Sequence, residues 1–186
     1  MKANFIFPGQ GSQYIGLGNK LFNKCDYGKQ IVKLSNELLG YNIANVASST
    51  DGLVHKTKYT QPAIFIYSII ADFLIKDSGY IPTGYAGHSL GEYTALVSSG
   101  CLDFKDALKI VKERSEMMDF EGKIKPGKMC AVLNFDTIKL EKFKSSIEGD
   151  IVVANYNSNN QIILSGDKKA IEHFSLFAKQ NRIKCI

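Results

Sequence analysis

The pentapeptide G-x-S-x-G at Gly87–Gly91 constrains the fold of this chain more than any other stretch. A short run ending in Tyr85-Ala86 precedes it, and a good helix-forming segment, Glu92–Ser99, follows it. In this context a serine lies on a sharp turn between a strand and a helix, a nucleophile elbow, whose glycines are needed because the turn leaves no room for Cβ atoms. The N-terminal end of the helix favours an oxyanion beside the serine. The pattern predicts an α/β fold with Ser89 as the nucleophile, and chance occurrence among 16 glycines is the alternative.

Length and composition are typical of a soluble globular protein. The chain has 186 residues, of which 45% are hydrophobic and 22% charged, enough for one domain or for one and part of a second. The most apolar stretch, Ala63–Ile75, is interrupted by Asp72 and is too short to span a membrane. The N-terminal residues lack the apolar run of a signal peptide. We therefore expect a cytoplasmic protein that does not contact a membrane.

Cysteines and charge exclude several classes of function. Cys25, Cys101, Cys130 and Cys185 are widely spaced, without a C-x-x-C pair, so we expect neither a metal site nor a disulfide framework. The formal charge of +5 is spread along the chain without a basic cluster, so no nucleic-acid partner is expected. The excess of lysine fits an acidic partner, and it fits a solvated surface equally well.

A glycine-bearing loop follows the first predicted strand. Asn4–Phe7 reads as a buried strand that ends at Pro8-Gly9, and Gln10–Gln13 forms the loop. Loops of this kind often present backbone N–H groups to an anion or a carbonyl oxygen. We expect a helix from about Gly16 to Asn23 after the loop, and another near Lys29–Leu39.

Two longer helices flank the pentapeptide. Thr60 has the character of an N-cap and Pro62 lies close to the first turn, so we expect a helix that continues to about Lys76. Because this segment is apolar almost all round, it should be buried against the sheet. A second helix is predicted from its N-cap at Asp103 to about Phe120.

Arg114 interrupts the apolar stripe of that second helix. At 100° per residue it lies at about −80° from Phe104, between Ala107 and Ile110, within the apolar sector. A guanidinium keeps its charge, so it needs an anionic partner or an escape to water. One reading is that the side chain snorkels along the stripe, and the other is that it enters the cleft and holds a substrate carboxylate through two parallel hydrogen bonds.

The pattern of elements changes near Glu121–Lys128, the best linker candidate. Beyond it the predicted order is strand, helix, strand, strand, helix, strand, which is the ferredoxin-like arrangement. We therefore expect a core at residues 1–124 and a ferredoxin-like subdomain at residues 125–186.

Five separated segments resemble one family, in that family's order, from about Lys2 to Ile186. They are FPGQGSQ at Phe7–Gln13, YTQPA at Tyr59–Ala63, AGHSLGEY at Ala86–Tyr93, the arginine of VKERSEMM, and NYNSNNQIILSG at Asn155–Gly166. The family is that of the malonyl-CoA:acyl carrier protein transacylases, and the discrete acyltransferases of polyketide assembly lines are similar. The combination is highly specific.

The resemblance implies an acyl transfer on a hydrolase-like parallel-sheet core. Ser89 would take malonyl from malonyl-CoA, the substrate, and pass it to an acyl carrier protein, the partner, for fatty acid or polyketide synthesis. Backbone N–H groups of Gln10 and Leu90 would form the oxyanion hole. Arg114 would bind the malonyl carboxylate, in agreement with its helical face. No bound cofactor is implied.

One feature of the family is not matched. Its general base is a histidine that follows the ferredoxin-like subdomain, and none of His55, His88 and His173 corresponds to it. On this reading the chain is the N-terminal part of a transacylase in which the C-terminal part of the core is missing, and we expect little or no turnover by these 186 residues alone. A companion chain that supplies the missing part is left open.

Two other readings remain beside the transferase. The first is a non-catalytic fragment that binds a carrier protein, which the lysine excess fits. The second is a serine esterase with the same elbow. Such enzymes need an acid and a histidine after the serine, and His173 is the only later histidine. An arginine in the pocket also suits an anionic acyl group better than a lipid chain.

Overall fold

The computed structural model describes residues 1–135 and 137–186, with only the backbone of residue 137. These residues form two compact units, Met1–Phe120 and Glu121–Ile186. The first unit is mainly helical around a parallel pair of strands, whereas the second is built on an antiparallel sheet.

The first unit contains a pair of strands, and helices follow each of them. Its elements are β1 (Lys2–Phe7), α1 (Asp26–Leu39), α2 (Ile43–Ser48), a 3-10 turn (Leu53–His55), α3 (Thr57–Asp77), β2 (Ile81–Gly87), α4 (Gly91–Ser98) and α5 (Phe104–Ile124), the last of which continues beyond Phe120. Strands β1 and β2 pair in parallel, with Phe5 opposite Tyr85 and Phe7 opposite Gly87. Because the strands are parallel, the loop after β1 and the turn after β2 leave the same edge of the sheet.

Helix α3 lies in the core of the first unit, as its composition predicts. Four consecutive residues, Ala63–Ile66, are at most 2% exposed, so the helix is covered on all sides over this turn. The helix begins at Thr57, and the expected N-cap at Thr60 is therefore wrong. The Thr60 hydroxyl instead donates back to the carbonyl oxygens of Val54 (2.7 Å) and Lys56 (3.0 Å), since it already lies inside the first turns.

Pro62 is inside α3 and not at its start. A proline has no N–H, so the carbonyl four residues before it, that of Lys58, loses its helical donor. The hydroxyl of Ser115 on α5 is 3.1 Å from this carbonyl oxygen. Ser115 is fully buried, and its hydroxyl is also 2.8 Å from the carbonyl oxygen of Lys112 on its own helix, so its one proton is shared between two acceptors, of which the Lys58 carbonyl is the more distant.

The helix expected at Gly16–Asn23 does not form. Gly16 and Gly18 have φ of +89° and +88°, outside the right-handed helical region, and the segment is a series of turns. A Cβ at Gly18 would lie 2.3 Å from the ring of Phe22, which is 2% exposed and packs over this glycine. The turn brings Phe22 into the core, and the first helix begins at Asp26.

Helix α5 begins where the sequence predicts. The Asp103 carboxylate accepts a hydrogen bond from the amide of Lys105 (2.8 Å), as an N-cap does. The helix continues to Ile124, past the expected end at Phe120. Within the predicted linker at Glu121–Lys128, only residues 125 and 126 lie outside regular structure.

The second unit has the predicted order of strands and helices. Its elements are β3 (Gly127–Leu133), α6 (Thr137–Lys144), β4 (Ile151–Ser158), β5 (Gln161–Asp167), α7 (Lys168–Gln180) and β6 (Lys184–Cys185). Among the described residues the sheet order is β4-β5-β3-β6, and all neighbours are antiparallel. Its core contains Ile162, Leu164 and Phe174, all at most 1% exposed.

The helices in the described part of the chain are all unsuited to crossing a bilayer, because none is both long and apolar enough.

Candidate active site

Ser89 occupies the turn between β2 and α4. The strand ends at Gly87 and the helix begins at Gly91, so the serine is raised at the junction of the two elements. Its φ of +53° lies in the left-handed region, which costs a side chain with a Cβ about 1–2 kcal/mol. A strained serine between a strand and a helix has the local geometry that the G-x-S-x-G spacing predicts.

The two glycines of the pentapeptide are required by close backbone contacts. A Cβ at Gly87 would lie 2.0 Å from the carbonyl carbon of Gly91, and a Cβ at Gly91 would lie 2.2 Å from the carbonyl oxygen of Phe7. Both obstacles are backbone atoms, which cannot move aside as a flexible side chain could. The helix therefore starts directly against the end of β1.

The loop after β1 runs beside this turn. The amide of His88 donates to the carbonyl oxygen of Phe7 (3.1 Å), and a Cβ at Gly9 would lie 2.6 Å from the carbonyl oxygen of His88. The loop thus brings Gln10 to the side of the elbow, while Leu90 follows the serine. Among the turn and loop hydrogen bonds of the described residues, neither the amide of Gln10 nor that of Leu90 is a donor. The side chain of Leu90 is fully buried in the core.

Arg114 reaches Ser89 directly. From its half-buried position on α5, its Nη2 donates to Ser89 Oγ at 3.0 Å, and its Nη1 donates to Gln61 Oε1. The guanidinium carbon is 5.8 Å from the centre of the Tyr93 ring, within the range of a cation–π contact. Within the described part of the chain no carboxylate lies within 4.0 Å of the guanidinium. The positive charge beside the serine is therefore not neutralised by an ion pair.

Gln61 is a further residue of this site that the sequence interpretation missed. Its side chain is fully buried on α3, and its Nε2 is 3.3 Å from Gln10 Oε1 and 3.2 Å from Met118 Sδ. Gln10 in turn donates to Thr57 Oγ1 at 3.1 Å. In the sequence Gln61 is a glutamine just before an apolar run, and such a position indicates only that a helix begins nearby.

A groove on α5 adjoins the arginine. It has a volume of about 330 Å³ and is lined by Ile110, Glu113, Arg114, Met117 and Met118. Its apolar members are substantially exposed, with Met117 at 60% and Met118 at 46%. An apolar surface on α5 therefore lies beside the guanidinium.

Within the described residues of the first unit, no histidine is a hydrogen-bond partner of the serine hydroxyl. Among the described residues, the hydrogen bond to Ser89 Oγ comes from Arg114 and from no imidazole or carboxylate. His88 packs against Gly9, His55 Nδ1 is 3.5 Å from Gln13 Nε2, and His173 is exposed on α7 in the second unit. The described residues also contain no group of three or more His, Cys, Asp or Glu side chains that could hold a metal ion.

A serine in the left-handed conformation on the turn between a strand and a helix defines a protein with a nucleophile elbow. In this protein a guanidinium without an ion-pair partner lies at the serine hydroxyl. The chain matches the acyl transferase domain over residues 4–185, and it belongs to that family. It is 38% identical to the malonyl CoA-acyl carrier protein transacylase of Bacillus subtilis over 187 residues, covering 98% of this chain and 59% of the relative.

Solved structures show the same similarity. The malonyl-CoA:ACP transacylase of Synechocystis sp. PCC 6803 superposes with a TM-score of 0.83 at 34% identity, over 99% of this chain and 59% of that one. PlMCAT, solved with the type II PKS acyl-carrier protein AntF, gives a TM-score of 0.83 at 29% identity over 98% of this chain and 61% of that one. The chain thus has a transacylase fold of mixed α/β content and spans about 60% of the length of these relatives.

Proposed function

We propose that the protein to which this chain belongs transfers a malonyl group from malonyl-CoA to the thiol of an acyl carrier protein, through an ester on Ser89. The observation that carries the proposal is the 3.0 Å hydrogen bond from Arg114 Nη2 to Ser89 Oγ. A cation without an ion-pair partner, held beside a nucleophile, suits an acyl group that carries its own negative charge. The same reaction is supported by the names of the relatives, which include a malonyl CoA-acyl carrier protein transacylase and a malonyl-transacylase in complex with its acyl-carrier protein.

The chemistry would proceed in two acyl transfers. Ser89 Oγ attacks the thioester carbonyl carbon, the C–S bond breaks, and coenzyme A leaves as a thiol after taking up a proton. The carrier-protein thiol then attacks the seryl ester, and the Ser89 hydroxyl is restored. We assign the amides of Gln10 and Leu90 to the oxyanion, and their place beside the elbow without other turn or loop acceptors supports this. Arg114 would hold the malonyl carboxylate.

The attack also needs an acceptor for the serine proton. The described residues bring no imidazole or carboxylate to Ser89 Oγ, and a general base contributes about 10²–10⁴-fold to such a step. We propose that an imidazole from outside the described residues, whether on the same polypeptide or on a companion chain, takes this role.

The finer description of the fold is also a proposal. The parallel β1–β2 pair with its elbow supports a hydrolase-like core at residues 1–124. The antiparallel order β4-β5-β3-β6, with a helix after β3 and after β5, supports a ferredoxin-like subdomain at residues 125–186. One relative is named a malonyl CoA-acyl carrier protein transacylase and another a polyketide biosynthesis malonyl CoA-acyl carrier protein transacylase, and a carrier protein of fatty acid or of polyketide synthesis fits the proposal.

Intact-mass spectrometry of the chain with malonyl-CoA or acetyl-CoA tests this function. We expect a malonyl adduct that maps to the peptide containing Ser89 and disappears in Ser89→Ala, and that forms slowly because no base contacts the hydroxyl. Acetyl transfer should be at least about tenfold less efficient, since its methyl group offers nothing to the guanidinium.

Substitution of the arginine provides the control for that experiment. Arg114→Ala should abolish the preference for malonyl, whereas Arg114→Lys, which keeps the charge but not the planar fork, should retain part of it. An adduct that persists in Ser89→Ala, or a full malonyl preference in Arg114→Ala, would contradict the proposed function.

A further inference from the structure

Gln61 holds the arginine of the site from a fully buried position. Its Oε1 accepts a hydrogen bond from Arg114 Nη1, and its Nε2 lies 3.3 Å from Gln10 Oε1. Both ends of the amide are therefore satisfied, which a buried polar group requires. The orientation of the guanidinium is fixed by a residue on α3, a different helix from the one that carries Arg114.

The neutrality of this partner matters for the charge of the site. An amide oxygen accepts from the guanidinium without cancelling its positive charge, whereas a carboxylate at the same place would form a buried ion pair. Arg114 has no carboxylate partner within 4.0 Å in the described part of the chain. Nη1 is thus held by a neutral acceptor while Nη2 points to Ser89 Oγ, where the acyl group would be attached.

We propose that Gln61 is a specificity-determining positioning residue: it orients Arg114 and leaves its charge available, and in this way sets the preference for acyl groups that bear a carboxylate. The inference rests on the proposed acyl transfer and extends it to a residue that need not touch the substrate. The same amide joins Arg114 to Gln10, so it also ties the loop after β1 to the arginine.

Measurements of equilibrium binding test the role of Gln61 separately from the acyl-transfer reaction. Dissociation constants for malonyl-CoA and acetyl-CoA are measured by calorimetry in the 186-residue chain carrying Ser89→Ala, so that no ester forms. In this background Gln61→Glu should weaken malonyl-CoA binding by at least about tenfold, because the new carboxylate competes for the guanidinium. Acetyl-CoA binding should change by less than about threefold, since a neutral acyl group makes no ion pair.

Two further variants keep the test decisive. Gln61→Met keeps the size of the side chain and adds no charge, so it can be measured even if the glutamate variant does not fold. It should still lower the malonyl preference by about threefold or more, because the guanidinium loses its acceptor. Gln30→Glu makes the same charge change at an exposed position of α1, and it should leave both dissociation constants unchanged. In an Arg114→Ala background neither Gln61 substitution should alter the preference further.

The possible results distinguish an error in the role of Gln61 from an error in the proposed function. If the Ser89→Ala chain prefers malonyl-CoA and both Gln61 variants keep that preference unchanged, the role of Gln61 is wrong and the proposed function stands. If the Ser89→Ala chain does not prefer malonyl-CoA at all, the proposed function fails and this inference fails with it. A preference that falls in both Gln61 variants but not in Gln30→Glu supports the inference.

Discussion

At the scale of single residues, the nucleophile candidate Ser89 has a backbone conformation that is unfavourable for a residue with a side chain. Ser89 has a φ of +53°, a conformation that glycine adopts freely and serine does not. The strain persists because the residue is fixed between the end of β2 and the start of α4, whose glycines lie against neighbouring backbone. We infer that the serine is retained at this position for its hydroxyl and at the expense of stability.

Replacing Ser89 should reveal this cost. We expect Ser89→Gly to be more stable than Ser89→Ala by about 1 kcal/mol, because both lack the hydroxyl but only alanine keeps a Cβ in the left-handed region. Urea unfolding of the two variants under the same conditions measures the difference. Equal stabilities, or a more stable alanine variant, would show that the turn does not strain its central residue.

The residues of the site could be predicted from sequence to different extents. Ser89 followed from a local spacing, and Arg114 from the angle of its position on a helix, because both signals are contained in a few turns of chain. Gln61 could not be found in this way, since its role depends on contacts with Gln10 and Arg114, which are 51 and 53 positions away. The structure places Ser89 and Arg114 together, but the roles of Ser89 as nucleophile, of Arg114 as carboxylate binder and of Gln10 and Leu90 as backbone donors remain predictions.

At the scale of elements, the existence of helices and strands was predictable and some of their ends were not. α5 begins directly after the predicted N-cap Asp103, whereas α3 begins before the threonine and proline that looked like start signals. Inside α3, the hydroxyl of Ser115 on α5 lies 3.1 Å from the carbonyl oxygen that Pro62 leaves without a helical donor. This contact joins two helices, so the local sequence of α3 does not contain it.

The junction of β1 with α4 should tolerate no side chain at Gly91. A Cβ there would lie 2.2 Å from the carbonyl oxygen of Phe7 and 2.9 Å from that of Pro8, both backbone atoms. We expect Gly91→Ala to lower the free energy of unfolding by about 3 kcal/mol, because α4 would have to move away from β1. Chemical denaturation followed by circular dichroism gives this value.

A matched substitution shows whether the effect is steric. Gly122 is also helical, on α5, and a Cβ there would meet nothing within 4 Å. Gly122→Ala should therefore be neutral or more stable by up to about 1 kcal/mol, as expected for glycine to alanine in a helix. If the two substitutions had similar effects, the close contact at Gly91 would not be what excludes a side chain.

At the scale of the whole molecule, each of the two units has its own apolar core. The first unit's core includes Phe65, which is fully buried and stacks on Phe104 with ring centres 5.7 Å apart. The second unit's core includes Phe174, which is 1% exposed and meets Phe143 edge to face at 5.1 Å. A separate core is what allows a segment to open or unfold as a unit of its own.

We therefore expect core substitutions to act on one unit at a time. Phe65→Ala and Phe174→Ala remove the same side chain from two buried positions, and each should cost its own unit about 3–5 kcal/mol. Hydrogen exchange measured by mass spectrometry locates the effect. Phe65→Ala should reduce amide protection in α3 and leave α7 unchanged, and Phe174→Ala should do the reverse. Loss of protection in both helices with either substitution would mean that the chain unfolds as one cooperative body, and the division between the two units would then have no thermodynamic counterpart.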